Sequence, residues 1–253
     1  MANLQKLVII GGGEILKAET LILDRETVKL SGKKHPKLLV IPTASSDSEN
    51  YCDAVKKYFG GKLGCRIDLL LLLKQSLSKK VIKEKILGSD IIYVGGGNTL
   101  MMMNVWRRAG VDKLLKAAFR KGIVLSGVSA GSICWFSFGL SDSRRFKNPK
   151  ADFIRVSGLG LIDALHNPHY HSANYQKEKD RRPDLRKMLK KSGDVGIAVD
   201  DHCAIKVLGD KYQVIASRTG ANTYKVFWKN GKYFEELIRK KSVFSPLKGL
   251  LSK

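Results

Sequence analysis

The segment Ile123-Val124-Leu125-Ser126-Gly127-Val128-Ser129-Ala130-Gly131 combines an apolar run with a Gly-x-Ser-x-Gly motif. Residues 132–138 follow with a composition compatible with a helix, so the order is strand, tight turn and helix. A sharp turn of this kind lifts one serine above the edge of a sheet, and its neighbours must be small because larger side chains would clash. Ser129 is therefore a candidate nucleophile, and the segment indicates a serine hydrolase.

Other apolar, β-branched runs lie on both sides of this segment. They occupy residues 7–10, 38–41, 67–73, 91–94 and 195–199, and they alternate with stretches of helical spacing at 50–60, 78–87 and 99–120. Continuously apolar strands are typical of a parallel sheet that helices cover on both faces. The sequence therefore predicts a three-layer α/β fold with a mostly parallel central sheet.

The last third of the chain has a different pattern. Short apolar runs at 204–208, 212–216, 224–228 and 232–234 are separated by Gly209-Asp210 and Asn230-Gly231. Because Asn-Gly between strands is a strong hairpin signal, we expect an antiparallel extension of the same sheet. No linker rich in Pro, Gly or Ser interrupts the chain, so residues 1–253 are predicted to form one domain.

Composition bounds the class of protein. The chain has 253 residues, of which 43% are hydrophobic, and its longest aliphatic block, 69–73, is too short to span a bilayer. The N-terminus lacks the charged-then-apolar order of a signal peptide. Four cysteines lie far apart without a Cys-x-x-Cys pair, which is typical of reduced thiols. We therefore expect a cytoplasmic protein without a membrane partner.

The formal net charge of +23 comes from 46 Lys and Arg against 23 Asp and Glu. The basic residues form dispersed pairs, such as Arg107-Arg108 and Lys240-Lys241, rather than a basic tail. A solvated positive surface is the simplest interpretation, and attraction of an acidic substrate or of nucleic acid is the alternative. Because no RNA-binding or zinc-finger motif occurs, nucleic acid is not favoured as a partner. Monomer and homodimer both remain open.

A serine nucleophile needs a base that takes its proton. The segment His166-Asn167-Pro168-His169-Tyr170-His171 offers three imidazoles, and His169 is our choice as the base. A metal site and a surface cluster without a role are the alternatives. We favour no metal, because no nearby carboxylate completes a ligand set.

A third group must orient the imidazole and stabilise its charged form. The chain order of α/β-hydrolases, Ser then Asp then His, would select Asp142. Asp201 directly follows the apolar run 195–199, and sites form at the carboxyl ends of parallel strands. We therefore favour Asp201, with Asp142 as the alternative.

The transition state also needs hydrogen-bond donors for the oxyanion. The backbone N–H of Ala130 is one candidate, and the glycine loop Gly95-Gly96-Gly97-Asn98 is another, although that loop could instead bind phosphate or form a simple turn. The first glycine loop, 11–13, does not complete a dinucleotide fingerprint, because Leu16 stands where the third glycine should be. No cofactor is therefore expected.

These motifs together resemble the peptidase E family of serine peptidases, which includes aspartyl dipeptidase and is related to cyanophycinase. The resemblance rests on four segments, which run in the family's order and cover most of residues 1–205: Val94-Gly95-Gly96-Gly97-Asn98-Thr99, Gly127-Val128-Ser129-Ala130-Gly131-Ser132, Asn167-Pro168-His169-Tyr170 and Gly196-Ile197-Ala198-Val199-Asp200-Asp201.

The resemblance implies a flavodoxin-like, class I glutamine amidotransferase-like fold and a Ser–His–acid triad without metal. Ser129 matches the nucleophile and His169 the base, while Asp201 stands where the family usually has Glu. Asp142 corresponds roughly to an acidic position after the elbow.

The resemblance also implies the surroundings of the triad. Gly96, Gly97 and Ala130 would frame the oxyanion hole, with Asn98 contacting the substrate. Arg181 or Arg182 would hold an acidic side chain of the substrate.

The resulting hypothesis is a serine-type peptidase that forms an acyl-enzyme with short peptides, including those with an N-terminal Asp. A cyanophycinase-like hydrolase of another amide is one alternative. A catalytically silent protein that binds a ligand or nucleic acid is the other.

Overall fold

Two β-sheets with flanking helices form the frame of the protein. The computed structural model describes residues 4–172 and 180–253. Within these residues, the first sheet contains eight strands and the second contains six.

The strands, in chain order, are β1 (Lys6–Ile10), β2 (Lys37–Ile41), β3 (Arg66–Leu69), β4 (Ile91–Val94), β5 (Val124–Val128), β6 (Phe136–Ser141), β7 (Ile154–Ser157), β8 (Ile162–Pro168), β9 (Gly196–Val199), β10 (Cys203–Leu208), β11 (Lys211–Ala216), β12 (Thr223–Lys229), β13 (Lys232–Ile238) and β14 (Ser245–Pro246). The helices are α1 (Leu21–Leu30), α2 (Glu49–Val55), α3 (Lys79–Leu87), α4 (Thr99–Ala109), α5 (Val111–Arg120), α6 (Ala130–Ile133), α7 (Arg182–Ser192) and α8 (Leu247–Leu251).

The first sheet has the order β14-β11-β10-β1-β5-β4-β2-β3, and its strands from β1 to β3 in that order are mutually parallel. The second sheet has the order β13-β12-β9-β8-β6-β7, with a parallel centre of β9, β8 and β6. The prediction of an α/β fold with a mostly parallel sheet and flanking helices is confirmed. The C-terminal antiparallel strands are present, but they divide between the two sheets instead of extending one.

The second sheet arises where a helix was expected. After Ser129 the chain makes only the short α6, and β6 begins at Phe136, so the expectation of a helix over 132–138 is wrong. The aromatic residues of this stretch suit a strand, and β6 pairs with β8 on one side and β7 on the other. Pairing with segments distant in the chain therefore decides the structure of residues 136–141.

The helical stretch 99–120 is two helices rather than one. Gly110 has a φ of 73° and ends α4 in a left-handed conformation, which glycine adopts without steric strain. The helix α5 begins at the next residue.

One buried apolar cluster contains side chains from both sheets, for example Leu7 and Ile9 of β1 and Ile197 and Val199 of β9. The two sheets therefore share a core, while the expectation of one domain stays a prediction. Across residues 4–172 and 180–253, none of the helices has the length and apolar character needed to cross a bilayer.

A second apolar cluster lies around α1 and encloses a carboxyl group. Asp24 is fully buried and accepts hydrogen bonds from the hydroxyls of Thr20, at 2.7 Å, and Tyr58, at 2.8 Å. Burial raises the pKa of this carboxyl to about 6, although both hydrogen bonds act in the opposite direction.

We predict that Asp24→Asn changes stability in a pH-dependent way. Because the carboxyl ionises at lower pH in the unfolded chain than in the folded protein, the wild type loses stability as the pH rises from about 4 to 6. As the pH rises between these limits, the free energy of unfolding of the variant should therefore increase relative to that of the wild type by up to about 3 kcal/mol.

Urea unfolding at pH 4.5 and pH 7.5 measures this difference. Asp53→Asn, at an exposed position of α2, is the matched control and should show no such gain. A stability gap between Asp24→Asn and wild type that is equal at both pH values would contradict the prediction.

Candidate active site

Ser129 stands on a sharp turn at the carboxyl end of β5. Its backbone has φ 56° and ψ −114°, a combination that L-residues rarely adopt, and its side chain is partly exposed. Glycine is required on both sides, since a Cβ on Gly127 would overlap the carbonyl oxygen of Gly131, and one on Gly131 would overlap that of Val94. The turn therefore fixes the position of the serine at the edge of the first sheet.

The carbonyl of Ser129 is held from the following turn. It accepts hydrogen bonds from the N–H groups of Ser132, at 2.9 Å, and Ile133, at 3.0 Å. The hydroxyl of Ser132 lies 2.7 Å from the same oxygen and 2.9 Å from Nε2 of His166. The turn that carries Ser129 is thus connected by hydrogen bonds through Ser132 to His166 of the second sheet.

His169 directly follows β8 and joins the serine to a carboxylate. Its Nδ1–H donates to Oδ1 of Asp201 at 2.5 Å, because an ionised carboxylate can only accept. Its Nε2 is then an acceptor, and the hydroxyl of Ser129 donates to it at 2.9 Å. The imidazole is 8% exposed, so it is mostly buried but still reaches the surface.

Asp201 lies in the turn where the chain passes from β9 in the second sheet to β10 in the first. Its Oδ2 accepts a hydrogen bond from the hydroxyl of Ser172 at 2.6 Å. Burial disfavours the charged carboxylate, but the hydrogen bond and charge of His169, together with Ser172, outweigh burial and lower the pKa of Asp201. The acid is therefore ionised at neutral pH.

The first glycine loop packs against this histidine and carboxylate. A Cβ on Gly12 would overlap Oδ1 of Asp201 and the ring of His169, and the carbonyl of Gly12 accepts a hydrogen bond from the N–H of His202 at 2.9 Å. Neither Gly12 nor Ser172 was among the site residues predicted from the sequence. The run of three glycines after β1 was the available signal for Gly12, whereas a lone serine gave none.

The other two histidines of the cluster point elsewhere. His166 is fully buried, stacks on the ring of Phe136 and hydrogen-bonds the carbonyl of Ile197, and burial lowers its pKa to about 3. His171 lies 3.1 Å from a carboxylate oxygen of Asp200. Within residues 4–172 and 180–253, no group of three or more His, Cys, Asp and Glu is arranged to hold a metal ion.

The second glycine loop lies beside the serine. A Cβ on Gly96 would stand 3.4 Å from Cβ of Ser129, and Gly97 has a φ of 132° with the carbonyl of Ala44 against it. Ala130 is the first residue of a helical turn, where backbone N–H groups have no acceptor within the helix. Gly96 and Gly97 line the cavity beside Ser129, whereas Ala130 is buried behind it.

Asn98 has a structural role in this loop. Its side-chain oxygen accepts the N–H of Met101 at 3.0 Å and caps α4, while its amide nitrogen donates to the carbonyl of Ser143 at 3.3 Å. The amide keeps one N–H and one lone pair beyond these two bonds, so the contact with a substrate expected from the sequence stays a prediction.

Asp142 and Arg181 form an ion pair with each other. The guanidinium nitrogen lies 3.2 Å from the Asp142 carboxylate, and the guanidinium carbon lies 4.7 Å from the centre of the Phe153 ring. Arg181 is buried, and Arg182 pairs with Asp180 at 2.8 Å. The structure thus brings Asp201, rather than Asp142, to the histidine.

A cavity of about 390 Å³ opens directly beside Ser129 and His169, and Gly96 and Gly97 form part of its wall. A larger groove of about 490 Å³ lies against α7 and Trp228 and touches neither residue. The smaller cavity is the one with a nucleophile, a base and open backbone N–H groups at one end.

Comparison with known proteins finds relatives of this chain among peptidases. The uncharacterized peptidase YgaJ of Bacillus subtilis (strain 168) is 34% identical over 224 residues, which is 88% of this chain and 91% of that protein. Peptidase E of Streptomyces coelicolor is 27% identical over 128 residues, which is 49% of this chain and 51% of that protein. The crystal structure of a peptidase from an acI-B1 Actinobacterium has a TM-score of 0.71 at 20% identity and covers 97% of each chain, which shows the shared fold.

An elbow serine beside a histidine on this fold defines the class of serine hydrolases. The model of peptidase family S51 matches residues 7–215, and the chain belongs to that family. It is therefore a peptidase, as the resemblance implied.

We predict that Gly131→Ala destabilises the protein by about 1–3 kcal/mol, because its methyl group would press on the carbonyl of Val94. Gly249→Ala in α8 is the matched control, since no heavy atom lies within 4 Å of the added carbon. Chemical denaturation of both variants measures the effect. The prediction is wrong if the two variants unfold at the same denaturant concentration.

Proposed function

We propose that the protein hydrolyses short peptides through the triad Ser129, His169 and Asp201 and a covalent acyl-enzyme. The observation that carries this proposal is the unbroken pair of hydrogen bonds from Ser129 through His169 to Asp201, at 2.9 Å and 2.5 Å. The carboxylate fixes the tautomer in which Nε2 accepts the serine proton.

The reaction follows from this geometry. As Oγ of Ser129 attacks the scissile carbonyl carbon, its proton moves to Nε2 of His169, and ionised Asp201 stabilises the imidazolium. The imidazolium then gives that proton to the leaving amine, which departs and leaves an ester on Ser129. Water, deprotonated by the same imidazole, hydrolyses the ester and restores the enzyme.

The negative charge on the carbonyl oxygen needs donors that are already in place. The backbone N–H groups of Ala130 and of the loop with Gly96 and Gly97 flank Ser129 and fit this role. Because these groups belong to rigid turns, they need little rearrangement as the charge develops.

The cavity volume of about 390 Å³ favours a short substrate over a folded protein. The expectation of an N-terminal Asp rests on Arg181 or Arg182. Arg181 pairs with Asp142 and Arg182 with Asp180, so an acidic substrate would compete with these carboxylates for the guanidinium groups.

We predict that Ser129→Ala lowers kcat for peptide hydrolysis by ~10⁴-fold or more, because no other group can form the acyl-enzyme. Ser137→Ala is the matched control, as its hydroxyl binds Asp163 on the second sheet, at 2.8 Å, and it should retain activity. Labelling by a fluorophosphonate followed by peptide mapping gives a second measurement, with the label expected on Ser129. Labelling elsewhere, or an active Ser129→Ala, would refute the proposed nucleophile.

We predict that Asp201→Asn lowers kcat by about 10³–10⁴-fold, because the amide would favour the wrong imidazole tautomer. Asp142→Asn should have a much smaller effect, since Asp142 contacts Arg181 and not His169. Steady-state kinetics on one cleaved dipeptide compares the two variants, and near-ultraviolet circular dichroism checks their folding. A larger loss in Asp142→Asn would assign the acid to that residue.

A further inference from the structure

The cavity beside Ser129 has mostly uncharged walls. Tyr93, Val128 and Ala54 are buried side chains that contribute to its inner part. Ile15 and Leu16 lie on the other side, and Leu16 is a large apolar side chain that is 77% exposed. Burial of an apolar group against such walls stabilises the complex. A charged group would lose hydration there and find few hydrogen-bond partners.

The described residues that line the cavity differ in charge from the molecule as a whole. Among the described residues that line it, none is Lys or Arg, although the chain has 46 of them against 23 Asp and Glu. Among the described residues that line the cavity, Glu14 is the one acidic residue, and it is exposed. An acidic side chain in this cavity would therefore meet repulsion rather than a partner.

The tyrosine wall adds to this preference. Tyr51 packs its ring against Gly95 and lines the cavity with Tyr93, and burial raises the pKa of both phenols, so they stay neutral. The buried carboxyl of Asp24 acts on both tyrosines from behind, and its negative charge also raises their pKa values.

We infer that the cavity binds the apolar or aromatic side chain of a peptide's N-terminal residue, and that Glu14 pairs with the ammonium group of that residue. The inference rests on the proposed function, because the cavity is a substrate site only if Ser129 is the nucleophile. Both parts of the N-terminal residue then have complementary surroundings: the side chain contacts the apolar walls and the ammonium contacts a carboxylate at the mouth.

A dipeptide series tests the inference with the full-length enzyme. The substrates are Phe-Ala, Leu-Ala, Asp-Ala, Lys-Ala and N-acetyl-Phe-Ala, compared by kcat/KM. The kcat/KM values for Phe-Ala and Leu-Ala should exceed that for Asp-Ala by about tenfold or more. Acetylation of Phe-Ala should lower its kcat/KM by about tenfold. In Glu14→Gln, the difference between free and acetylated Phe-Ala should shrink to less than about threefold.

Two variants test the walls. Ala54→Leu narrows the cavity and should lower kcat/KM for Phe-Ala more than for Gly-Ala. Leu16→Ala changes an exposed residue and should not affect the stability of the fold. Leu16→Ala should lower kcat/KM for Phe-Ala by about three- to tenfold. Ile22→Ala removes another exposed apolar side chain, which lies outside the cavity, and should leave kcat/KM unchanged for both substrates.

The outcomes separate this inference from the proposed function. If Asp-Ala is cleaved best and Ser129→Ala is inactive, the inference is wrong and the triad stands. If Lys-Ala is cleaved best, Glu14 contacts the side chain rather than the ammonium, and the inference is again wrong. If no dipeptide is cleaved, the inference fails, and fluorophosphonate labelling of Ser129 decides separately whether the nucleophile is correct.

Discussion

The position of one imidazole between two sheets is the constraint on which the site depends. Ser129 ends a strand of the first sheet, His169 ends a strand of the second, and Asp201 lies in the turn that connects the two. Neither sheet alone contains the three groups. The hydrogen bonds of His169 therefore require that both sheets be correctly placed, and the shared apolar cluster beneath them provides that placement.

The strongest local signals in the sequence predicted the parts of the site that depend on local geometry. Gly127 and Gly131 mark the turn because no other residue tolerates the approach of the neighbouring carbonyl groups. The apolar runs predicted the parallel strands because strands such as β4 and β5 are buried along their whole length. The choice of Asp201 over Asp142 used position at a strand end, a rule that depends on topology more than on sequence.

What the sequence could not provide is long-range pairing. Residues 136–141 form a strand because segments near Ile162 and Ile154 lie beside them, and no local pattern contains that information. The same limit applies to the three histidines, which are equivalent in spacing but differ in surroundings: His166 is in the core, and only His169 meets Ser129. The walls of the cavity, Glu14 and Tyr51 included, are likewise assembled from separate segments.

The close approach of Gly12 to Asp201 brings together two segments that are far apart in the sequence. If position 201 carried Glu, one more methylene would have to fit where the glycine loop already touches the carboxylate. The shorter acid and the tight loop are therefore expected to covary among relatives. With a longer acid at position 201, the backbone after β1 would have to withdraw to keep the present distance between the carboxylate and His169.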